Sequence, residues 1–303
     1  MKKLFLIMLL VFISFSVEAQ QDAQYTQYMY NTVGVNPAYA GSRGAMSIVA
    51  LHRTQWVGLD GAPRTQTLSL HTPFTDSRLG LGVSIVNDAL GPATEQYFNV
   101  DLSYTLPVSD KGKLAFGFKA TANLLNVDFT KLEIAVPTDV LAQQVENRFS
   151  PNFGAGLYYY EPKFYLGLSV PNILKTEHYD DLSTSLAQER MNFYLISGYV
   201  FDLSSNVKLK PSILGKYVSG APLQADLSLN ALINEKFTIG AAYRWSAAMS
   251  GMAGFQINEK LMIGYAYDWD TTELSNYDSG SHEIFIRFEL FNTKENMVSP
   301  RFF

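Results

Sequence analysis

The sequence predicts an all-β chain: a transmembrane antiparallel β-barrel of about fourteen strands, of outer-membrane type. Three observations predict it. From about Gly44 to Phe291 the chain alternates apolar and polar residues in one segment after another, most cleanly in Leu79-Gly80-Leu81-Gly82-Val83-Ser84-Ile85. A strand turns successive side chains to opposite faces, so each segment has one apolar face. The N-terminus reads as an export signal, and no later apolar stretch is long enough for a membrane helix. A chain that is exported and membrane-bound without helices needs a closed barrel, because only closure satisfies every backbone group in lipid. Finally, connector length follows strand parity. The even connectors are short, and the three longest, about 126–148, 171–190 and 270–280, are all odd. Outer-membrane barrels have short periplasmic turns and long outer loops, and on that rule both chain ends lie in the periplasm.

Taken in order, residues 1–19 form the signal: Lys2 and Lys3, an apolar core from Leu4 to Phe15, and the small-x-small site Val17-Glu18-Ala19. The apolar core falls short of the ~20 residues that span a bilayer. Residues 20–43 form an N-terminal periplasmic or plug-like segment, and 44–291 the barrel. Its strands are expected at about 45–54, 64–72, 78–87, 94–106, 112–125, 149–160, 163–170, 191–201, 206–218, 222–233, 236–246, 250–257, 260–269 and 281–291. The first and twelfth alternate least clearly. Residues 292–303 are a tail ending in Arg301-Phe302-Phe303, which resembles a barrel-assembly signal or docks against the barrel or a periplasmic partner. An extracellular β-sandwich or solenoid is the competing architecture. Its strands usually run about five or six residues, whereas many segments here have the length of a tilted membrane strand.

Composition agrees. Charged residues make up 17% of the chain and aromatic residues 14%, against roughly 25% charge in a soluble domain. The net charge of −5, with no basic block, argues against nucleic acid as a partner. Cysteine is absent, which removes disulfides, thiol nucleophiles, thiolate metal sites and a lipidation point after the signal. Phe237 and Trp245, like Leu261 and Trp269, are spaced to reach both edges of an apolar band of ~25 Å, where Tyr and Trp form interfacial belts.

The face opposite the apolar one is polar and mixed in charge. It carries Asp101, Lys119, Lys208, Lys210, Lys216, Asp226, Arg244, Asp268, Arg287 and Glu289. Such groups either pair across a lumen or line a selective pathway. Many other inward positions are small: Gly80, Gly82, Gly117, Gly154, Gly156, Gly167, Gly240 and Gly264. They leave room for water, a loop or the segment 20–43. No catalytic arrangement or cofactor site stands out. The four His lack metal-ligand spacing, and His178 with Asp180 and Asp181 is the one local acid/His group at an outer rim. Asp268, Asp270, Glu273 and Asp278 make an acidic outer loop that is either solvated or a weak Ca²⁺ site.

Several blocks carry a more specific signal. Asn36-Pro37-Ala38-Tyr39-Ala40-Gly41-Ser42 follows the Gln/Tyr-rich lead Gln24–Asn31. After it come Arg53-Thr54-Gln55-Trp56-Val57-Gly58 and Gly61-Ala62-Pro63. Further on are Pro151–Gly156, Tyr158-Tyr159-Tyr160, Gly167–Asn172 and Lys210-Pro211-Ser212. In this order the blocks resemble the PorP/SprF family of type IX secretion outer-membrane proteins across essentially the whole mature chain. The resemblance implies a non-enzymatic fourteen-stranded barrel acting in type IX export and, in gliding bacteria, in adhesin delivery. Its implied partners are a secreted type IX client or adhesin, the translocon, periplasmic components and outer-membrane lipid. Physically, the Asn36 block reads as a turn in which Pro37 fixes φ and Gly41 permits φ > 0. Arg53, Gln55 and Trp56 fall at the first outer hairpin, where Gly58, Gly61 and Pro63 shape a rigid loop. These residues, with Tyr39, either brace the barrel mouth or contact an exported partner. The competing functions are a passive channel or hydrophobic-solute transporter, and a barrel enzyme.

Overall fold

The computed structural model describes residues 25–131, 145–174, 191–218 and 221–290. Fourteen antiparallel strands form one closed sheet. They are β1 (Met46–Thr54), β2 (Arg64–Pro73), β3 (Leu79–Leu90), β4 (Ala93–Pro107), β5 (Lys113–Val127), β6 (Val145–Tyr160), β7 (Phe164–Val170), β8 (Asn192–Tyr199, resumed at Phe201–Asp202), β9 (Val207–Val218), β10 (Gln224–Ile233), β11 (Phe237–Arg244), β12 (Ala248–Gln256), β13 (Leu261–Asp270) and β14 (Ser281–Leu290). Each strand pairs with its sequence neighbours, and β14 closes the ring on β1 through Met46↔Leu290 to Thr54↔His282. With no free edge, no strand is left with unpaired backbone groups facing lipid.

The two faces are inverted relative to a water-soluble protein. Large apolar side chains point outward and stay exposed, among them Ile85, Phe98, Val100, Phe118, Leu168, Leu195, Leu229, Ile239 and Ile286. Buried inward positions hold Asn99, Asp101, Lys119, Asn123, Asn152, Asn230, Asp268 and Glu289. Such an arrangement is stable when the outer face meets lipid. Trp245 and Trp269, 65% and 68% exposed, mark one edge of the apolar band. Phe237 over Phe255, ring centroids 4.9 Å apart, marks the other.

Most strands match the alternation within a residue or two; the differences have a common cause. β3 and β4 continue to Leu90 and Ala93, so the third connector is the tight turn 91–92, and β6 begins at Val145. These extensions carry polar pairs, Asn87↔Gln96 and Asp88↔Glu95, on both faces, so the apolar/polar alternation that marks the rest of the strand stops there. β12 begins at Ala248, leaving only 245–247 as the eleventh connector. Connector parity therefore holds for the longest loops and not for every odd one. At the opposite end the turns are tight, as at Asn234 and Glu235, which both adopt positive φ (52° and 55°), the geometry of a two-residue hairpin.

Candidate functional site

The lumen is filled. Residues 25–45 run through it as three short helical turns, Tyr28–Tyr30, Thr32–Val35 and Pro37–Tyr39. Tyr28, Met29, Val33, Ala38 and Tyr39 are buried against the inward residues Val49, Leu51, Ala115, Tyr158, Ile196, Met252 and Phe285. The barrel thus has an apolar core inside a mostly polar wall. Tyr30 stacks on Phe285 (4.3 Å), and Tyr39 meets Tyr158 and His71 edge-on, each at 5.4 Å.

The inward glycines make this possible. A Cβ on Gly117 would lie 2.1 Å from the Ala38 nitrogen, one on Gly156 2.1 Å from Asn36 Oδ1, and one on Gly80 2.4 Å from the Ala40 oxygen. Asn36 is fully buried. Its Oδ1 accepts from the Ala38 N–H at 2.9 Å, capping the turn that Pro37 starts, and its Nδ2 donates to the Leu157 carbonyl at 2.9 Å. Gly41 has φ 73°, and a Cβ there would lie 3.0 Å from the Gly80 Cα, so both conformation and space demand glycine.

The segment has a direction. Its start is at the loop end, where Thr26 donates to Asp268 (2.6 Å), and the Thr26 and Gln27 N–H groups donate to Glu283 (3.0 and 2.8 Å). Asn31 then meets Ser69 at 2.7 Å, and the Val35 carbonyl accepts from Ser169 at 2.8 Å. The Ala40 carbonyl accepts from Ser103 at 2.7 Å, and at the turn end Arg43 pairs with Glu289. The described chain therefore begins near the loops, whereas β14 ends at the turns. Both chain termini, which connector parity assigns to the periplasm, lie outside the described residues.

Most of the predicted lumen charges are paired. Arg53 was expected in the outer hairpin, but it closes β1 with its side chain turned inward. There it pairs with Asp268 at 2.7 Å and Glu283 at 3.3 Å and is 2% exposed. Lys119 pairs with Asp101 (3.2 Å) and approaches the Val33 carbonyl (3.5 Å). Arg244 and Asp226 make three contacts of 3.1 Å. Arg287 sits over the Tyr30 ring (5.6 Å) and 3.9 Å from Glu289. Lys210 is fully buried, and Lys216 lies 5.8 Å over the Tyr194 ring. Lys208 differs: it pairs at 3.3 Å with the exposed Glu235, at the turn rim and not in the lumen.

The first loop is zipped to its neighbours. The Gln55 N–H donates to the Pro63 carbonyl (3.0 Å), and the Val57 N–H to the Gly280 carbonyl (2.9 Å). The Ser279 N–H returns to Val57 (2.7 Å), and the Gly91 N–H reaches Gly61 (2.8 Å). Trp56 adopts φ 46° and donates from Nε1 to Asp270 at 3.0 Å. Gly58 and Gly61 have φ of 106° and 74°. At the turn end a cleft of about 580 Å³ is bordered by Gly41, Arg43, Arg78, Lys111, Lys113 and Glu161. Arg301, Phe302, Phe303, His178, Asp180 and Asp181 lie outside the described residues. Among the described residues no group of His and acids could hold a metal. Glu283 and Thr26 were not singled out by the sequence. Glu283 falls on the inward phase of β14, but nothing local reveals that it receives the N-terminal segment.

Comparison with known proteins fits this geometry. The family model for the type IX secretion system membrane protein PorP/SprF matches residues 17–288. The chain belongs to the PorP/SprF family. Among solved structures this PorP/SprF protein is similar in fold to the CymD monoaromatic hydrocarbon channel (14% identity, TM-score 0.52, covering 86% of this chain and 93% of that one). It is likewise similar to the TodX deltaS2S3 mutant monoaromatic hydrocarbon channel (8% identity, TM-score 0.51, 85% and 93%). Omp33 of Acinetobacter baumannii aligns over 81% of this chain and 98% of its own, at 11% identity and TM-score 0.49. At these identities the likeness concerns the fold alone. No curated protein matches the chain.

Proposed function

We propose that this PorP/SprF barrel is a non-enzymatic outer-membrane component of the type IX export machinery, and of gliding motility where that occurs. In this reading it holds a secreted client or adhesin, or the translocon, at its loop-end mouth. The observation that carries the proposal is the occupied lumen. Residues 25–45 fill it with an apolar core and bonded charges, which leaves a scaffold with two shaped ends instead of an open conduit. The zipped first loop, with Gln55, Trp56, Gly58, Gly61 and Pro63, offers a rigid surface beside the long connector 271–280. The cleft at the turn end, with Arg78, Lys111 and Lys113 on its rim, suits an acidic segment of a periplasmic component. In this reading the loops lie outside the cell and the turns in the periplasm. A passive channel or hydrophobic-solute transporter needs a continuous path, and the buried plug opposes it.

The test is a deletion strain compared with its parent by surface proteomics, complemented with the intact gene or with one lacking 271–280. Loss of one or more exported proteins, unrecovered by the loop deletion, is the expected result. An unchanged surface proteome, or robust uptake of sugars or fatty acids by the reconstituted protein, overturns the reading.

A further inference from the structure

The outer wall carries a feature the export reading does not use. On β1 the outward residue Ala50 faces Leu68 of β2 and Ile286 of β14 across the ladder. The small side chain between two large ones leaves a groove of about 420 Å³, floored by Ala50 and flanked by Leu68, Ile85, Ile284 and Ile286. Its upper end is polar. His52 pairs in register with Gln66, and Gln66 with Asn87, all outward. One outward step higher, Arg64 is exposed, with Thr54 and Ala89 as its register partners and no carboxylate in that row.

The depth of this patch can be read from the ladder. His52 pairs with Ile284, and Ile284 with Tyr265; Thr54 pairs with His282, and His282 with Tyr267. Trp269 lies one outward step beyond Tyr267 on β13. By register the imidazole and amides of β1–β3 share the row of Tyr265, two outward steps short of Trp269, and Arg64 shares the row of Tyr267, one step short of it. Polar outward groups at that level are costly against acyl chains and favourable against headgroups. The groove runs downward from them and is one side chain wide, which fits a single alkyl chain and is too narrow for the broad surface of a stable protein contact.

We infer that this groove binds an anionic amphiphile of the loop-side leaflet. Its acyl chain lies over Ala50 between Leu68 and Ile284. Its phosphorylated headgroup accepts hydrogen bonds from Gln66, Asn87 and His52 and an ion pair from Arg64, which presents a guanidinium suited to phosphate. A phospholipid and a phosphorylated glycolipid share that chemistry.

The experiment is native mass spectrometry of the intact protein, purified from membranes and stripped with increasing detergent. The expected result is an adduct whose mass identifies one phospholipid or glycolipid, retained through delipidation. Ala50→Trp fills the groove and Arg64→Glu reverses the charge; each lowers retention at least ~tenfold. Ala241→Trp, on the outward face of β11, leaves retention unchanged. Heat-modifiable gel mobility checks that every variant is a closed barrel. An absent adduct, an adduct equally retained by Ala50→Trp, or a photo-crosslinker at position 50 that captures a polypeptide instead of lipid would each overturn the inference.

Discussion

Replacing Gly117 with Val tests how the plug is held. The new Cβ would sit 2.1 Å from the Ala38 nitrogen and 2.4 Å from the Pro37 carbonyl carbon, about 1.3 Å inside the 3.4 Å at which ordinary contact begins. Both neighbours are backbone atoms of the turn capped by Asn36, so no side-chain rotation relieves the overlap. Overpacking of this kind costs typically 1–3 kcal/mol, and the extra Val methyls favour the upper end. At ~2–3 kcal/mol the undocked fraction of the plug rises by roughly 30- to 150-fold, taking 1.4 kcal/mol per factor of ten. The chain has no Cys, so Val33→Cys supplies a unique thiol, placed where the wild-type residue is 1% exposed. Its alkylation rate follows the open population when closing is fast. The Gly117→Val protein should label one to two orders of magnitude faster while the barrel keeps its heat-modifiable mobility. Equal labelling rates in both backgrounds would refute the packing argument.

Other consequences are as direct. Arg53→Ala leaves Asp268 and Glu283 buried without their cation; loss of one partner of such a pair costs about 3–5 kcal/mol, so the urea midpoint in detergent should fall clearly. Adding Asp268→Asn and Glu283→Gln to Arg53→Met should recover most of it, and no recovery would mean that the network is not the cause. For Lys119 and Asp101, the double variant Lys119→Met/Asp101→Asn should be more stable than either single variant in a double-mutant cycle. Gly280→Ala places a Cβ 2.5 Å from the Tyr267 hydroxyl at φ 81°; it should loosen the first loop, seen as faster amide exchange at Val57 and Ser279, and reduce client retention at the surface.

What the sequence disclosed follows from what each face contacts. Where the outer face meets lipid and the inner face is polar, alternation is sharp, as in Phe98–Tyr104 and Leu223–Ala231, and the strands were legible there. β1 alternates poorly because Val49 and Leu51 face inward against the plug while Ile48 and Ala50 face outward. β12 is similar, with Met252 packed on the plug and Gly251 on the outside. Those inward apolar residues, with Phe285 and Tyr158, were the available sign that the lumen holds something more than water. The inward glycines said that space was kept, but not for what. Contacts such as Thr26 with Asp268 or Asn36 with Leu157 join residues far apart in the chain, and no local pattern encodes them. The inward turn of Arg53 could have been extrapolated from the phase of Val49 and Leu51, had that strand's register been clear.

The most direct measurement is the conductance of the purified full-length protein in planar bilayers, compared with a variant lacking residues 25–43. A plugged scaffold predicts near-silent membranes for the intact chain and large, steady steps for the deletion. Large steps from the intact protein, equal to those of the deletion, would contradict the account.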